Sequence, residues 1–335
     1  MKNFVYYALV MVVIVILLPF FIVKSCSIEE EDIKKTYETP QQGIKIKVYN
    51  SSDDSISEID LEEYVKGVVA AEMPVEFDIE ALKAQSVAAR TYAFARMIKD
   101  YNGKEDIHKG ADICTDPTHC QAWISRQDAM DKWDKLFAAK YWNKIEKAVM
   151  ETKGVILTYD NTIANPVFHS NSGGRTENAE EVWEGNALAY LVSVPSRGEE
   201  ASSSYETTVT IKCDKFKEVL KQEYPDIEFS SEDIVNDIEV LGFTVGERVK
   251  TIKIGGVAIK GTDFRRLFSL KSANFKIEKF DDKTLKITTI GNGHGVGMSQ
   301  WGANYLAEKG ETYEKILKYY YNGITLETID QFENK

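Results

Sequence analysis

The sequence predicts an α+β protein whose helix-rich core carries mixed or antiparallel strands, preceded by one N-terminal transmembrane helix. Apolar residues recur at helical spacing in long segments such as residues 61–73 and 78–99, whereas short runs such as residues 43–50 alternate between apolar and polar. The two kinds of segment do not follow one another in a regular βαβ order. This irregular order favours an α+β fold over a doubly wound parallel sheet.

The N-terminus contains an uncharged run at residues 4–23, about the ~20 residues that cross a bilayer core. We expect residues 1–3 to be a short cytoplasmic end, and the chain after Lys24 to lie outside the cell membrane. The main alternative is a cleaved signal peptide, whose apolar region usually has ~7–15 residues and ends in small ones. A lipid-modified Cys26 is the third alternative, and Lys24 just before it fits that processing poorly.

The polar residues 24–42 indicate an extracytoplasmic stalk. Residues 43–328 then form either one elaborated domain or two lobes with a cleft. The net charge of −12 argues against a nucleic-acid-binding protein, because neutralising phosphates needs a basic surface.

The order of elements follows from local signals. Asp60 is a suitable N-cap for a helix over residues 61–73, which Pro74 ends, and Asp78 opens an alanine-rich helix to about residue 99. A third long helix is expected over residues 126–152. Further helices are expected at residues 213–224, 299–309 and 313–321, and strands at residues 155–159, 166–168, 207–211, near 238, 249–254, 275–277 and 285–289.

Glu72 is the candidate general acid. It follows the apolar run of residues 68–71, and an acid in apolar surroundings is costly to ionise, so the pKa of Glu72 should be raised. A general acid that works near neutral pH needs a raised pKa. The alternative is that Glu72 only marks the exposed face of a helix.

Two loops rich in glycine, serine and asparagine have the texture of substrate-binding segments, residues 169–175 and 291–302. Glycine removes side-chain bulk near a ligand, and serine and asparagine supply hydrogen bonds. The candidate contacts there are His169, Ser170, Asn171, Gly173, Gly174 and His294. The alternative is a glycine-rich turn that serves only to reverse a strand.

Four residues between the second and third helices suggest a metal site: His108, Cys114, His119 and Cys120. Two thiolates and two imidazoles suit tetrahedral zinc, and a site closed by four protein ligands is structural. The spacing is not that of a zinc finger, and a Cys114–Cys120 disulfide is a credible alternative outside the membrane.

Three blocks carry a family resemblance: residues 61–74 with 81–93, residues 169–175, and residues 293–303. They resemble the stage II sporulation protein D family of lytic transglycosylases. The resemblance covers residues 43–325 and implies an endospore-forming bacterium, septal peptidoglycan breakdown during engulfment, and as partners an amidase (stage II sporulation protein P) and stage II sporulation protein M. The histidine and cysteine cluster resembles the zinc-containing clostridial version of the family.

The resemblance implies cleavage of glycan strands, preferably free of stem peptides, between N-acetylmuramic acid and N-acetylglucosamine, leaving 1,6-anhydro ends. One carboxyl group suffices for this reaction, and the resemblance assigns it to Glu72. Lys83 and Arg90, seven residues apart on one helical face, are expected to meet the glycan's lactyl carboxylates. The alternative is that both are solvated charges on the helix surface. The other expected substrate contacts are Gln85, Ser86, Tyr159 and Gln300. A non-catalytic wall-binding module and a zinc-dependent wall hydrolase are the competing functions.

Overall fold

The computed structural model describes residues 43–98, 108–183, 185, 187–231 and 233–334. The predicted cytoplasmic end, transmembrane helix and stalk at residues 1–42 lie outside the described residues. No helix among the described residues is both long and apolar enough to cross a membrane.

The described residues contain helices and strands in irregular order, which confirms the α+β class. The helices are α1 (Leu61–Glu72), α2 (Ile79–Met97), α3 (Arg126–Lys132), α4 (Ala138–Met150), α5 (Ala179–Val182), α6 (Cys213–Glu223), α7 (Gly261–Leu267), α8 (Gln300–Glu308), α9 (Tyr313–Tyr320) and α10 (Ile329–Glu333). The strands are β1 (Lys45–Asn50), β2 (Ser55–Asp60), β3 (Ile113–Cys114), β4 (Val155–Tyr159), β5 (Thr162–Ile163), β6 (Phe168–His169), β7 (Glu206–Lys212), β8 (Ile238–Phe243), β9 (Val249–Ile254), β10 (Val257–Lys260), β11 (Phe275–Asp281), β12 (Thr284–Ile290), β13 (Met298–Ser299) and β14 (Thr325–Thr328).

The strands form small sheets rather than one continuous sheet. β1 pairs antiparallel with β2 and parallel with β3, β9 lies between β8 and β10, β12 lies between β7 and β11, and β4 lies between β14 and β5. β6 and β13 pair in parallel, with Phe168 opposite Met298 and His169 opposite Ser299. This short pair brings the two glycine-rich loops together.

The alanine-rich helix α2 lies at the centre of the larger hydrophobic cluster. The Asp78 side chain caps its first turn by accepting from the Glu80 N–H at 2.9 Å. Alanines such as Ala84 and Ala88 are fully buried, so neighbouring backbones approach closely. α2 contacts α1, α4, α8, α9, β3 and β4.

A second hydrophobic cluster is formed by α6, α7 and the strands between residues 206 and 290. Its centre is aromatic: Phe264 packs against Phe216, Phe268 and Phe275 with ring centroids 4.6 to 6.2 Å apart. The chain enters this cluster after the first glycine-rich loop and leaves it at the second.

The helix predicted over residues 126–152 is wrong in its middle, because the chain turns between α3 and α4. The Asp134 side chain accepts from the Leu136 N–H at 2.9 Å, and the Asp134 carbonyl accepts from the Phe137 and Ala138 N–H groups at 2.9 Å. These bonds start a new helix instead of continuing the old one. Sequence reasoning also missed the short helices α5, α7 and α10 and the strands β2, β3, β5, β10, β13 and β14. β2 lies largely on the surface, so it shows no alternation of apolar residues.

Arg90 does not face a cleft, which corrects its expected role as a substrate contact. Its side chain is fully buried and forms a bidentate pair with the Glu62 carboxylate, with Nη2 at 2.6 Å from Oε2 and Nε at 2.9 Å from Oε1. Arg90 also donates to the carbonyls of Val149 and Val155, each at 3.2 Å. The guanidinium therefore joins α1, α2, α4 and β4.

Candidate active site and metal centre

Glu72 is the last residue of α1, and its side chain points into a partly closed environment. Burial raises the pKa of Glu72, against hydrogen bonds from the Ala122 N–H and the Gln300 side chain, which favour the carboxylate. The Ala122 N–H lies 2.8 Å from Oε1. No charged group among the described residues contributes to the shift, so the predicted raised pKa is confirmed and its cause is desolvation.

The segment that carries Ala122 is held tightly against α1. The Gln121 side chain donates to the Tyr64 hydroxyl at 3.3 Å, and the Ile124 N–H donates to the Gly67 carbonyl at 3.3 Å. A Cβ atom on Gly67 would lie 2.2 Å from the indole nitrogen of Trp123, so only glycine allows this approach. The close packing fixes the N–H donor that faces Glu72.

Gln300 and Gln85 complete the surroundings of the acid. Gln300 opens α8, and its Nε2 lies 3.5 Å from Oε1 of Gln85, which is fully buried on α2. The next residue, Trp301, donates its N–H to the Ser170 carbonyl at 3.1 Å and packs edge-on against Phe77. Of the expected substrate contacts, Gln300 therefore hydrogen-bonds to Glu72, and Gln85 contacts Gln300. Ser170 bonds to the residue after Gln300.

The first glycine-rich loop is organised by a buried carboxylate, Glu199. Its oxygens accept from the N–H groups of Ser172, Gly173 and Gly174 at 3.0, 2.8 and 2.9 Å, and from the Ser172 hydroxyl at 2.8 Å. The Ser196 hydroxyl adds a further bond of 2.7 Å. The N–H groups of Gly173 and Gly174 are therefore occupied within the protein, and the expected close approach of a sugar to these two glycines stays a prediction.

Arg248 holds the same loop from the other side. Its guanidinium is buried and donates to the Ser172 carbonyl at 2.9 Å and to the Arg175 carbonyl at 3.3 Å. A Cβ atom on Gly295 would lie 2.0 Å from this guanidinium, so the second glycine-rich loop also closes around Arg248. Asn171 is fully buried beneath, with its backbone bridged to Asn292, and it too is structural.

Both histidines of the loops are neutral. Burial, with a contribution from Arg248, lowers the pKa of His169 to about 3, and its Nδ1 donates to the Val296 carbonyl at 3.1 Å. Burial also lowers the pKa of His294, whose Nδ1 accepts from the Val296 N–H at 3.0 Å. Neither side chain has the charge or the pKa of a general acid, and the buried His169 is not placed to meet a substrate.

The remaining expected contacts, Lys83, Ser86 and Tyr159, have partners within the protein. Burial opposes ionisation of Lys83, but ion pairs with Glu151 and Glu80, each at 2.7 Å, raise its pKa. Ser86 is buried and donates to the Leu82 carbonyl at 2.7 Å. Tyr159 packs against Tyr190 with ring centroids 5.1 Å apart.

The four predicted metal ligands converge, with one donor atom from each within 4.8 Å of the others. Nε2 of His108 and Nδ1 of His119 are 3.0 Å apart, and Sγ of Cys120 lies 3.2 and 3.3 Å from them. Sγ of Cys114 lies 3.5 Å from Nδ1 of His119. Tetrahedral zinc would separate such ligands by roughly 3.3–3.8 Å, so the donor set fits this ion. Both cysteines are free thiols in the structure, not a disulfide.

Comparisons with known proteins identify the family. A model of the family described as stage II sporulation protein matches residues 49–159. Stage II sporulation protein D of Bacillus amyloliquefaciens is 38% identical over 332 residues, 96% of this chain and 93% of that protein. The chain belongs to the stage II sporulation protein D family. The Bacillus subtilis (strain 168) family member is 39% identical over 292 residues, 87% of this chain and 81% of that protein.

A more distant relative is an amidase enhancer of Bacillus subtilis, 29% identical over 310 residues, which are 78% of this chain and 40% of that protein. The segment matched by the family model contains Glu72, Ala122 and the four clustered histidines and cysteines. The two glycine-rich loops lie beyond residue 159, within the alignment to the Bacillus amyloliquefaciens protein, which covers 96% of this chain.

Sequence reasoning missed the residues that support the acid and the loops. Ala122 acts through its backbone, so its side chain gives no signal. Glu199 and Arg248 stand in polar segments that resemble ordinary surface sequence. The one available signal was Trp123, a large aromatic residue shortly after the metal-ligand cluster.

The hydrogen bonds that Glu199 accepts from the first glycine-rich loop, here called the Glu199 clamp, should contribute to stability. Glu199→Gln replaces an acceptor oxygen by an NH₂ group that faces other donors, and each buried donor left unpaired costs about 1–3 kcal/mol. We expect a clear fall in the free energy of unfolding, measured by chemical denaturation. Glu200→Gln changes the exposed neighbour and should leave stability nearly unchanged. Equal stability of the two variants would contradict the clamp.

Proposed function

We propose that this protein is a membrane-anchored lytic transglycosylase that cuts peptidoglycan glycan strands between N-acetylmuramic acid and N-acetylglucosamine. The observation that carries the proposal is Glu72: a carboxyl group with a raised pKa, contacted by two amide donors and by no charged group. Family membership supports a role in sporulation, and the relative named an amidase enhancer supports work alongside enzymes of the cell wall.

One carboxyl group can carry both proton transfers of this reaction. The protonated Glu72 donates to the oxygen between the two sugars as that bond breaks. The resulting carboxylate, stabilised by the Ala122 N–H and by Gln300, then takes the proton of the sugar's own 6-hydroxyl as it closes the anhydro ring. A hydrolase of the usual kind needs a second carboxylate. Among the described residues, no second carboxylate hydrogen-bonds with Glu72 or with its two amide donors.

The competing functions predict other outcomes for the same assay. The full-length protein is incubated with glycan freed of stem peptides, and the sugar ends are analysed by mass spectrometry. Anhydro ends are the expected product. Reducing ends would indicate a zinc-dependent hydrolase, and unchanged glycan that sediments with the protein would indicate a binding module.

We further propose that the chain is anchored by residues 4–23, with residues 24–42 as a stalk and the globular part outside the cell membrane at the sporulation septum. In this position it would act on glycan prepared by the amidase stage II sporulation protein P, together with stage II sporulation protein M. Fractionation of sporulating cells, followed by protease treatment of intact protoplasts, tests both the anchoring and the orientation.

Glu72→Gln is expected to abolish glycan cleavage while leaving fold and glycan binding nearly intact, because the amide keeps the shape but transfers no proton. Acid–base assistance is typically worth ~10²–10⁴-fold in rate, and here one group serves both steps. Cleavage is followed by the release of anhydro ends. Glu76→Gln, at an exposed position just past α1, is the matched control and should cleave normally. Turnover by Glu72→Gln at the wild-type rate would overturn the assignment.

The pH dependence follows from the raised pKa of Glu72. The active form of the free enzyme is protonated, so kcat/KM should fall as pH rises through this pKa, above the ~4.3 of a free glutamate. Gln300→Met removes a hydrogen-bond donor that favours the carboxylate, so the pKa of Glu72 should rise further. The fall of kcat/KM with pH should therefore occur at higher pH in this variant than in the wild type. A wild-type rate that still rises well above pH 8 would exclude a carboxylic acid as the proton donor.

We propose that His108, Cys114, His119 and Cys120 bind one structural zinc ion, as in the clostridial type of the family. The distances between the four donor atoms fit tetrahedral zinc. Bound zinc would order residues 108–120, which lead directly into Gln121. With four protein ligands the ion has no open position for chemistry.

Elemental analysis of freshly purified protein should give one zinc per chain without added metal. Cys114→Ser should lose zinc and thermal stability, because metal binding contributes directly to local folding. Cys213→Ser is the control, since Cys213 lies apart from the cluster, and Glu72→Gln should keep its zinc. A Cys114–Cys120 disulfide in fully active, metal-free protein would contradict the zinc site.

A further inference from the structure

A cavity of about 690 Å³ lies between the two hydrophobic clusters, and Glu72 does not line it. One wall comes from α5 and the second glycine-rich loop, and the other from β9, β10 and α7. A second cavity of about 390 Å³ shares Thr262 and Arg265 with the first, so the two adjoin at α7. The larger volume lies within the range of small-molecule binding sites.

Arg265 stands at the junction of the two cavities without a counter-charge. Its Nε donates to the Leu270 carbonyl at 3.2 Å, and no carboxylate among the described residues pairs with it. Burial lowers the pKa of Arg265, but an arginine remains charged at any physiological pH. A half-buried guanidinium without an acid is costly, and its planar fork matches a carboxylate.

The acids around the larger cavity do not supply that partner. Glu177 accepts from Thr244 and the Gly246 N–H, and Glu181 pairs with Lys250 at 2.9 Å. The two other acids among the described lining residues are Glu180, which is exposed to solvent, and Asp263, whose ion pair is with Arg266 at 3.9 Å. The described residues that line the smaller cavity include no acid, and they add Lys271 and the side-chain amide of Asn292 to the arginines.

The other end of the larger cavity offers an aromatic surface. The partly exposed indole of Trp183 packs against the His294 ring with centroids 5.1 Å apart. Because the pKa of His294 is lowered, this imidazole is neutral and does not compete with Arg265 for an anion. The flat face of an indole can pack against the C–H face of a sugar ring.

The cavity is connected to the proposed active site through one loop. His294 lies on the cavity wall, and six residues later the same loop ends at Gln300, which contacts Glu72. A glycan strand carries one lactyl carboxylate per disaccharide. A strand held at Glu72 therefore presents further carboxylates along its length.

Resting on the proposed function, we infer that Arg265 and Trp183 form a secondary glycan-binding site, in which Arg265 binds the free lactyl carboxylate of a muramic acid residue and Trp183 packs against the sugar ring. Only a muramic acid stripped of its stem peptide exposes this carboxylate, since the peptide is attached to it. The site therefore selects for stem-free glycan.

The test measures binding without cleavage, in full-length protein carrying Glu72→Gln. Isothermal titration calorimetry compares a stem-free tetrasaccharide of alternating N-acetylglucosamine and N-acetylmuramic acid with chitotetraose, which lacks lactyl groups. We expect a preference of roughly 10- to 100-fold for the lactyl-bearing sugar, the size of a charge-assisted hydrogen bond.

Adding Arg265→Gln should remove this preference and leave chitotetraose binding unchanged. Lys215→Gln is the control, because it removes one positive charge from an exposed residue that lines neither cavity. Trp183→Ala should weaken binding of both sugars. A second measurement does not depend on whether the Arg265 variant folds. The lactyl groups of the tetrasaccharide are converted to amides, and this neutral sugar should bind the Glu72→Gln protein as weakly as chitotetraose does.

Arg265→Gln protein that keeps the full preference would overturn the site, and so would amidated sugar that binds as tightly as the acid. If glucose 1-phosphate displaces the tetrasaccharide at a lower concentration than N-acetylmuramic acid does, the site prefers a phosphate to a carboxylate. That result would also overturn the proposed site. These outcomes are separable from the cleavage reaction. If the Glu72→Gln protein shows no preference for the lactyl-bearing sugar while the wild type gives normal anhydro products, only the site is refuted. If the Glu72→Gln protein shows the preference but the wild type does not cleave glycan, only the proposed reaction is refuted.

Discussion

Helix α2 is buried on nearly every side, and this constraint decides the roles of the polar residues around it. Burial of a polar group is costly unless it is hydrogen-bonded, so each such side chain on α2 needs a partner within the protein. Arg90 forms an ion pair with Glu62, and the Ser86 hydroxyl donates to the Leu82 carbonyl. The Thr91 hydroxyl donates to the Val87 carbonyl and accepts from the Leu157 N–H. Residues that look like binding groups in the sequence therefore hold the core together.

Three glutamates in this fold differ in their number of hydrogen-bond and ion-pair partners, and this number distinguishes structural carboxylates from a candidate general acid. Glu62 has the guanidinium of Arg90 and the Gly154 N–H, and Glu199 has three backbone N–H groups and two hydroxyls. Glu72 has two amide donors and no cation, and its burial raises its pKa. A carboxyl group so weakly compensated can hold a proton near neutral pH and give it up, which the other two are not arranged to do.

The acid and the metal-ligand cluster are linked by a short stretch of chain. Cys120 is a candidate ligand, Gln121 is anchored on Tyr64, and Ala122 donates to Glu72. Order in the cluster is thus transmitted within two residues to the donor that faces the acid.

The sequence by itself determined the helix ends at Asp60, Pro74 and Asp78 and the grouping of the four candidate metal ligands, because each depends on neighbours within a few residues. The order of the elements indicated the α+β class, and the apolar run before Glu72 indicated its raised pKa. Only the tertiary structure decided that Ala122 and Gln300 meet Glu72, that Glu199 occupies the first glycine-rich loop, and that Arg265 rather than Arg90 carries an unpaired charge. These contacts join residues 25 to 228 positions apart in the chain, and no local pattern encodes which buried group will find which partner.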